Sequence, residues 1–545
     1  MRIHNVVYIS GLVFLVAVGS AIRAEVPELM LTLTNAIYGE EYGYRVANVG
    51  DMNGDGDPDL LVGALRPIYN GFGRGYLYFG GAAFDTLADV VFVSEEWNEY
   101  YASALAGAGD LNGDGYSDII IGAPANNMGG KAYIYFGGPV VDSLPDVEIH
   151  GNGGSFAGNL AGCGDVNVDG YDDVVITAFD AGPGMTGEAY VYFGGSPMDT
   201  LVDLYLDPGG SHDAFGLGVC AGEDVNGDGY PDIVVGDAHW LSGRAYLYFG
   251  GPSLDNVADL VLEGEGSNAH FGIGLAMGDL NADGAAEVIA GATRWCPPNS
   301  IANGRAYVYY GGEMLDDIPD VIVTGQTQGQ RLGGGVLATT DLNLDGYRDL
   351  CIWAQYPERF LFHAGEGWMD RVEEAVVVSP GPWNDWFGSG FAAFGVDDLT
   401  GDSLPDLVIG ACGVDVDRLQ NAGMVYVYSF FHGPVEIRAV PRTPEVHPGE
   451  RLRYAVGATN TTWRVQTFEV WSGALMPDGF LYEGNPIWGP LERTLAAQDT
   501  VVVQLNQRIP PATPPGQYTW TVRVGAAYPD TVWSSSSFEF KVVEP

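Results

Sequence analysis

The sequence predicts an all-β protein in which a ring of seven similar four-stranded sheets is followed by a smaller β-sandwich. One acidic loop pattern recurs seven times, every 55 to 62 residues. Short alternating apolar stretches with turn signals flank each copy, as expected for strands. Gly contributes 80 of the 545 residues and aromatic residues contribute 12%. This composition favours short strands and tight turns, because Gly is poor in helix interiors.

The recurring loop has the pattern D-x-N-x-D-G-x-x-D, and its seven copies are numbered here as acidic loops 1 to 7. Loop 5 has Glu287 at position 9, where the other copies have Asp. Loop 7 departs further, with Thr400 at position 3 and Ser403 at position 6. The loops span residues 51–59, 110–118, 165–173, 224–232, 279–287, 341–349 and 398–406.

Each acidic loop lies between the first and second of four predicted strands. A Gly/Ala/Val run precedes it, often opened by Phe-Gly as at Phe215-Gly216 and Phe271-Gly272. An apolar run, an alternating strand such as 132–136 and a fourth apolar stretch follow. Because one such sheet cannot bury both of its faces, seven repeats of this length predict a seven-bladed β-propeller. A β-helix is the competing repeat fold, but its periods are much shorter.

The two ends of the repeat region are expected to meet. One spare strand, at 29–34, precedes the first loop, while the seventh unit supplies only three strands and ends at 424–430. We expect the N-terminal strand to complete the seventh blade, which would remove an exposed sheet edge.

These loops, in register with Phe-Gly and Gly-Ala, resemble the FG-GAP repeat of the integrin-α head over residues 29–430. The resemblance implies a propeller whose acidic loops lie on one face and whose partner recognition uses the opposite face. Aromatic residues and Arg are enriched at binding hot spots, although packing of the Trp side chains between blades is the alternative. The candidate contact residues are Trp97, Tyr100, His212, His239, Trp240, Arg294, Trp295, Trp383 and Trp386.

The residue types in the acidic loops are those of a calcium site. Calcium prefers about six to eight oxygen ligands. Positions 1, 3 and 5 offer side-chain oxygens, position 7 a backbone carbonyl and position 9 a carboxylate, while Gly at position 6 permits a left-handed turn. An EF-hand would need Glu at position 12 and flanking helices, and a plain turn would leave like charges without a counter-ion.

We therefore predict up to seven bound Ca²⁺ ions, with six good loops and loop 7 the weakest. The expected ligands are Asp51, Asn53, Asp55, Asp57, Asp59, Asp110, Asn112, Asp114, Tyr116, Asp118, Asp165, Asn167, Asp169, Tyr171, Asp173, Asp224, Asn226, Asp228, Tyr230, Asp232, Asp279, Asn281, Asp283, Ala285, Glu287, Asp341, Asn343, Asp345, Tyr347, Asp349, Asp398, Thr400, Asp402 and Asp406.

Residues 1–24 predict a secretory signal peptide. Arg2 is followed by an apolar run at 6–18 and by small residues that suit cleavage. The run is shorter than the ~20 residues that span a membrane. We expect an exported protein, extracellular or at the cell surface, with no membrane span after cleavage. Its propeller would occupy 25–433 and its second domain 434–545.

Charge and cysteine usage exclude several classes of partner and site. The net charge is −48, and Lys occurs only at Lys131 and Lys541. Such a chain repels nucleic acid and anionic membrane surfaces. The five Cys are isolated and form no C-x-x-C pair, which argues against a disulfide framework or a zinc site. We expect a monomer.

The repeat pattern stops after residue 433, and a different β pattern follows. About 110 residues of this kind, with Pro and Gly between strands, predict an immunoglobulin-like or fibronectin-like sandwich that serves as a spacer or anchor. The predicted strands lie at 435–440, 451–457, 465–471, 500–505, 518–524 and 538–543.

Three functions are compatible with this architecture. The favoured one is a non-enzymatic binding or adhesion module for an extracellular protein or glycan. The alternatives are a propeller-scaffold enzyme acting on polysaccharide and a purely structural envelope or matrix protein. We predict no catalytic or cofactor-binding residues, since no nucleophile elbow, H-E-x-x-H motif or phosphate loop occurs. His212 with Asp213, or His239, would be the candidate base of an enzyme.

Overall fold

The computed structural model describes residues 28–543 except 36, 66–71, 95–98, 125–128, 183, 207, 209–213, 239–241, 267, 298–300, 313–314, 344–345, 364, 366–374, 379, 381–385, 389–392, 403, 417–418, 430–434, 442–444, 449, 461–465, 476–487, 496–499, 510–515 and 526–533. The predicted signal peptide lies outside the described residues. Regular structure in the described part consists of β-strands, and no helix there is long and apolar enough to cross a membrane.

Seven four-stranded antiparallel sheets form the blades, and in blades 1 to 6 the strands pair in chain order. The chain starts with β1 (Glu28–Leu33). Blades 1 to 3 contain β2 (Tyr42–Asn48), β3 (Leu60–Ala64), β4 (Arg74–Tyr78), β5 (Val90–Val93), β6 (Ala104–Gly109), β7 (Asp118–Ala123), β8 (Lys131–Tyr135), β9 (Val147–His150), β10 (Asn159–Gly164), β11 (Asp173–Ala178), β12 (Glu188–Tyr192) and β13 (Leu204–Leu206).

Blades 4 to 6 repeat the same meander, and blade 7 has three strands from this part of the chain. They contain β14 (Phe215–Glu223), β15 (Asp232–Asp237), β16 (Arg244–Tyr248), β17 (Leu260–Glu263), β18 (Phe271–Gly278), β19 (Glu287–Ala292), β20 (Arg305–Tyr309), β21 (Val321–Thr324), β22 (Leu332–Ala338), β23 (Leu350–Ala354), β24 (Arg359–His363), β25 (Ala375–Val378), β26 (Ala393–Val396), β27 (Asp406–Ala411) and β28 (Met424–Ser429).

The first strand of each blade lies beside the first strands of both neighbouring blades, so these strands form a closed inner ring. This arrangement confirms the predicted seven-bladed propeller. Within each meander, the connection from first to second strand carries the acidic loop. The connection from third to fourth strand lies at the same end of the sheet, because adjacent strands are antiparallel. We call this end the acidic-loop face and the other end the opposite face.

The described hydrophobic core of the propeller forms seven layers, one between each pair of adjacent blades. Between blades 3 and 4, for example, Val175 and Val191 of blade 3 pack with Phe215 and Tyr246 of blade 4. The aromatic rings of Phe215 and Tyr246 meet edge to face, with centroids 5.5 Å apart. Each sheet is therefore buried on both faces by its neighbours, which explains why the second strands are fully buried.

Where the Phe-Gly signature occurs, as in blade 5, it holds the blade against the one before it. Phe271 is fully buried, and Gly272 has a φ of 83° at a register shift between Phe271 and Leu275. A Cβ atom added to Gly272 would lie 2.5 Å from the backbone oxygen of Arg244. Gly243, which precedes the third strand of blade 4, forms a parallel bridge to Phe271 of blade 5. The aromatic anchor and the left-handed Gly thus serve the contact between blades.

The N-terminal strand closes the ring, as predicted. β1 pairs antiparallel with β28, with Glu28 opposite Ser429 and Leu33 opposite Val425. Leu33 is fully buried in the layer between blades 7 and 1. Tyr42 also forms a parallel bridge to Gly423. The first and last segments of the propeller are therefore held in one sheet.

The C-terminal region contains two sheets. A three-stranded sheet has the order β29-β31-β34, and a five-stranded sheet has the order β30-β36-β35-β32-β33. All six strands expected from the sequence are present, and β30 and β33 are additional. The assignment as an immunoglobulin-like sandwich stays a prediction, as do the domain boundaries. The strands are β29 (Val435–Pro441), β30 (Glu445–Val446), β31 (Arg451–Asn460), β32 (Gln466–Leu475), β33 (Trp488–Leu495), β34 (Thr500–Arg508), β35 (Gly516–Gly525) and β36 (Ser534–Val542).

Candidate functional site

Acidic loop 1 is held by hydrogen bonds from its own backbone to its side chains. One carboxylate oxygen of Asp51 accepts from the amides of Gly54 and Asp55 at 2.7 and 3.1 Å, and the other accepts from Gly56 at 2.8 Å. Asn53 Oδ1 accepts from the Asp55 amide at 2.8 Å, and Asp55 Oδ1 accepts from the Asp57 amide at 3.0 Å. The side chains at positions 1, 3 and 5 are thereby folded onto one tight turn.

The same bonds recur in the next four loops. The amide at position 6 donates to the first Asp at 2.7 to 3.0 Å, and the amide at position 5 donates to the Asn at 2.8 Å. In loop 6, Gly346 donates to Asp341 at 2.8 Å, while Asp345 lies outside the described residues. Loop 7 retains bonds from Asp402 to Asp398 and from Leu404 to Asp402, and Ser403 is outside the described residues.

The carboxylate at position 9 is buried and joins the loop to the rest of the blade. Asp59 is fully buried; its two oxygens accept from the amides of Met52 at 2.9 Å and Gly80 at 3.0 Å. Gly80 follows the third strand of the blade, so this carboxylate links two connections on the acidic-loop face. Asp118, Asp173, Asp232 and Asp349 are buried and bonded in the same way. Sequence reasoning missed this anchoring role, because the partner amide is 18 to 21 residues away in most copies.

Burial makes the charge at position 9 costly. Burial is the main cause that raises the pKa of Asp59 to about 7; the Gly80 and Met52 amides oppose it, and Asp55 and Asp51 add to it. Burial likewise raises the pKa of the Glu287 carboxyl to about 8. The corresponding carboxyls have a pKa of about 7 at Asp118, Asp173 and Asp406 and about 6 at Asp232. Six buried carboxyls therefore have pKa values near neutral pH, and they lie beside further carboxylates.

The donor set fits a cation that prefers oxygen ligands, since each loop concentrates carboxylate, amide and carbonyl oxygens within nine residues. Among the described residues, however, no three His, Cys, Asp or Glu side chains form a ready-made metal cage. The carboxylates at positions 1 and 5 are turned onto loop amides. The position 9 oxygens also accept hydrogen bonds, except Oδ1 of Asp406, which is buried without a partner among the described residues. A carboxylate oxygen has two lone pairs, so the oxygens that accept a single hydrogen bond keep one lone pair for a cation, whereas Asp51 Oδ1, which accepts two, does not. Metal ligation by the predicted residues stays a prediction.

Neighbouring acidic loops are connected around the ring. The carbonyl of Asp51 in loop 1 accepts from the Ser117 amide in loop 2 at 3.1 Å. The same contact joins loop 2 to loop 3 and loop 4 to loop 5. Arg348 of loop 6 reaches past blade 5 to Glu223, which directly precedes loop 4, with 2.5 Å between Nη1 and Oε1. This ion pair lines a depression of about 790 Å³ whose lining also includes Asp51 and Asp398.

Some predicted contact residues are placed by the structure and others are not. Trp97, His212, His239, Trp240 and Trp383 lie outside the described residues. Trp295 is half-buried against the core, and the Arg305 guanidinium lies 3.3 Å from its ring centroid. For this side chain the alternative of packing is therefore correct. Arg294 is exposed, Tyr100 is half-buried and Trp386 is 38% exposed.

The repeats match known protein families. The FG-GAP repeat family matches residues 42–78 and 101–135, and the FG-GAP-like repeat family matches 224–290. The first two matches each cover one acidic loop and its flanking strands, and the third covers loops 4 and 5. The chain carries FG-GAP repeats in a seven-bladed propeller of the integrin-α type. The resemblance inferred from the loops is confirmed.

The chain is similar to curated integrin α chains. It is 30% identical to integrin alpha-5 of Xenopus laevis over 220 residues, which cover 37% of this chain and 20% of that one. It is 34% identical to integrin alpha pat-2 of Caenorhabditis briggsae over 229 residues, covering 37% and 18%. The chain thus spans about a fifth of the length of the relatives it matches.

Solved structures similar to parts of this chain have low overall scores. The CARDB domain of the PF1109 protein from Pyrococcus furiosus shares 16% identity and covers 22% of this chain and 99% of its own, with a TM-score of 0.16. A score this low carries no argument about the fold of any region.

Proposed function

We propose that this FG-GAP propeller is an exported, calcium-binding module that binds an extracellular protein or glycan without catalysing a reaction. The observation that carries the proposal is the repeated acidic loop. Its oxygen donors are folded onto one turn, and its buried position 9 carboxylate has a raised pKa in six copies. The likeness to integrin α chains supports a binding or adhesion role rather than an enzymatic one.

The residues that would hold calcium are the predicted ligands at positions 1, 3, 5, 7 and 9 of each loop. When bound, the ion supplies positive charge that neutralises the clustered carboxylates. The protein's own contribution is to fold positions 1, 3 and 5 onto the turn and to anchor position 9 to the blade. Loop 7 lacks the Asn and the Gly of the pattern, so it is proposed to bind worst.

Calcium titration of the full chain by isothermal calorimetry tests the metal sites. We expect about six sites, with affinities of ~0.1–1 mM as in other extracellular modules. Asp55→Ala should remove one site, whereas Asp402→Ala in loop 7 should leave the number of strong sites unchanged. The exposed Asp317→Asn variant controls for loss of one negative charge. Equal stoichiometry in all four proteins would contradict the assignment.

A second experiment tests binding against catalysis. The full chain is screened on glycan and extracellular protein arrays, with calcium and with EDTA, and is incubated with a polysaccharide panel. We expect saturable, calcium-dependent binding without turnover. Turnover that is lost in His212→Ala or His239→Ala would favour the polysaccharide-active enzyme. Inert behaviour in both assays would favour a structural envelope or matrix protein.

Export is tested separately. Expression of the full chain in a secreting host, followed by mass spectrometry of the N-terminus, should give a mature protein that lacks residues 1–24. A product retained inside the cell with an intact N-terminus would contradict this part of the proposal.

A further inference from the structure

The connections between third and fourth strands in blades 1 to 5 share a second motif that the calcium proposal does not explain. Each reads D-x-φ-x-D, where φ is an aliphatic residue. The first Asp accepts the amide of the aliphatic residue at 2.7 to 2.8 Å. The second Asp accepts an amide at the end of the third strand at 2.8 to 2.9 Å. The two Asp residues thus shape the hairpin.

The aliphatic residue between the two Asp residues points into solvent in all five blades. We call these five residues the rim tips. Their exposed fractions range from 63% to 74%, and they are Leu87, Leu144, Leu201, Val257 and Ile318. No packing among the described residues of the propeller accounts for an aliphatic side chain at this position.

The same hairpins contain an aliphatic or aromatic residue that does have a structural role. The residue before the first Asp, such as Phe84 or Met198, packs against the core between blades. The anchoring of the hairpin is therefore complete without the rim tip. The residues beside the tips vary among Thr, Ser, Asn and Asp on one side and Ala, Pro and Val on the other. The tips alone stay aliphatic in every copy, so the five repeats indicate a shared contact outside the propeller.

From the rim tips we infer a docking surface on the acidic-loop face for a cationic, amphipathic polypeptide. Each tip lies between two carboxylates that use one oxygen each for the hairpin, and the acidic loops share this face. An exposed aliphatic side chain surrounded by carboxylates is complementary to a partner that offers aliphatic groups between Lys or Arg residues. Anionic lipid and nucleic acid are repelled by a chain of net charge −48. Five separate points of contact would bind an extended partner by avidity.

This surface is distinct from the opposite face, where the resemblance to the integrin-α head implies partner recognition. It also differs from the metal sites, since none of the rim tips is a predicted calcium ligand. The opposite face supplies a matched control, because Met185 and Ile301 lie in connections there and are 68% and 66% exposed.

The test measures fluorescence anisotropy of two labelled peptides of equal length and charge, one of alternating Lys and Leu and one of alternating Lys and Ser. Both are titrated with the calcium-loaded full chain in 50 mM and 500 mM NaCl. We expect the Lys/Leu peptide to bind at least tenfold more tightly, and both affinities to fall at the higher salt. Equal binding of the two peptides would overturn the inference.

Substitutions locate the surface. Each rim tip changed to Ser should weaken the Lys/Leu peptide about fivefold, and Leu87→Ser/Leu144→Ser/Leu201→Ser about a hundredfold. Met185→Ser/Ile301→Ser should leave binding unchanged. Melting temperatures with and without calcium check that the variants fold and keep their metal sites; single-tip variants replace the triple variant if it melts early.

Two outcomes contradict the assignment. Unchanged binding by the triple variant would do so, as would equal losses in the triple and the opposite-face variants. Sedimentation that reveals a dimer abolished by the triple variant would assign the surface to a second copy of the chain instead.

Discussion

Calcium removal should reverse the way in which stability responds to pH, and Asp59 shows why. Burial raises the pKa of this carboxyl in the folded chain from its ordinary value of 3.8 to about 7. A group whose folded pKa is raised favours folding when protonated. Its contribution is therefore complete below about pH 4 and is lost as the pH rises through about 7. Without calcium, the folded state should weaken from acidic to mildly alkaline pH.

The size of the effect follows from the shift. One pKa unit corresponds to about 1.4 kcal/mol. A group whose pKa is shifted from 3.8 to about 7 therefore destabilises the folded state by about 2 to 3 kcal/mol more at pH 8 than at pH 5. Six position 9 carboxyls have raised pKa values between about 6 and about 8. For a domain of about 400 residues, about 1 kcal/mol moves the Tm by about 1 to 2 °C, so the combined effect of the six groups should lower the Tm in EDTA by at least about 10 °C over this range.

Saturating calcium should abolish or invert this slope. The ion favours the ionised carboxylate, which places the folded pKa below the unfolded one. Stability is then present above about pH 4 and is lost only as the pH falls through the folded pKa. Between pH 5 and pH 8 the Tm of the calcium-loaded chain should stay level or rise.

Scanning calorimetry at pH 5, 6, 7 and 8, in EDTA and in 5 mM CaCl₂, checks the prediction. General repulsion in a chain of net charge −48 also destabilises at high pH, so a matched pair of variants is needed. Asp59→Asn removes one titrating group, so in EDTA the slope of stability against pH should decrease by the contribution of one proton. The exposed Asp317→Asn should leave that slope unchanged. A Tm in EDTA that is flat or rises towards pH 8 would refute the reasoning, as would equal slopes in the two variants.

Three further predictions concern the scaffold. A double-mutant cycle on Arg348→Ala and Glu223→Ala should give a coupling of ~0.5–1 kcal/mol in urea unfolding, because the pair is partly exposed; zero coupling would mean that it contributes nothing. Gly272→Ala should cost about 2 kcal/mol more than Gly266→Ala, since both have a φ of 83° but an added Cβ meets backbone only at Gly272; equal losses would contradict the packing argument. Deletion of residues 28–33 should lower the Tm and promote aggregation by exposing the edge of blade 7; unchanged sedimentation and Tm would show that closure is dispensable.

The sequence by itself determined the parts of this protein that depend on neighbouring residues. The acidic loops could be predicted because their hydrogen bonds join residues two to five positions apart, as from Gly56 to Asp51. Strand alternation and the repeat length then sufficed for blades and their number. Even ring closure followed from counting, since one spare strand at the start matched one missing strand at the end.

Only the tertiary structure decided which distant groups meet. The carboxylate of Asp59 is buried because the third strand of its blade ends beside it, and its raised pKa depends on that burial. Arg348 and Glu223 are 125 residues apart and meet across blade 5. The exposure of side chains is also decided by the tertiary structure. Leu87 and Leu77 are the same residue type, yet Leu87 is 74% exposed and Leu77 is fully buried. Such contacts depend on how blades pack around a ring, and residue types over a short span do not specify that geometry.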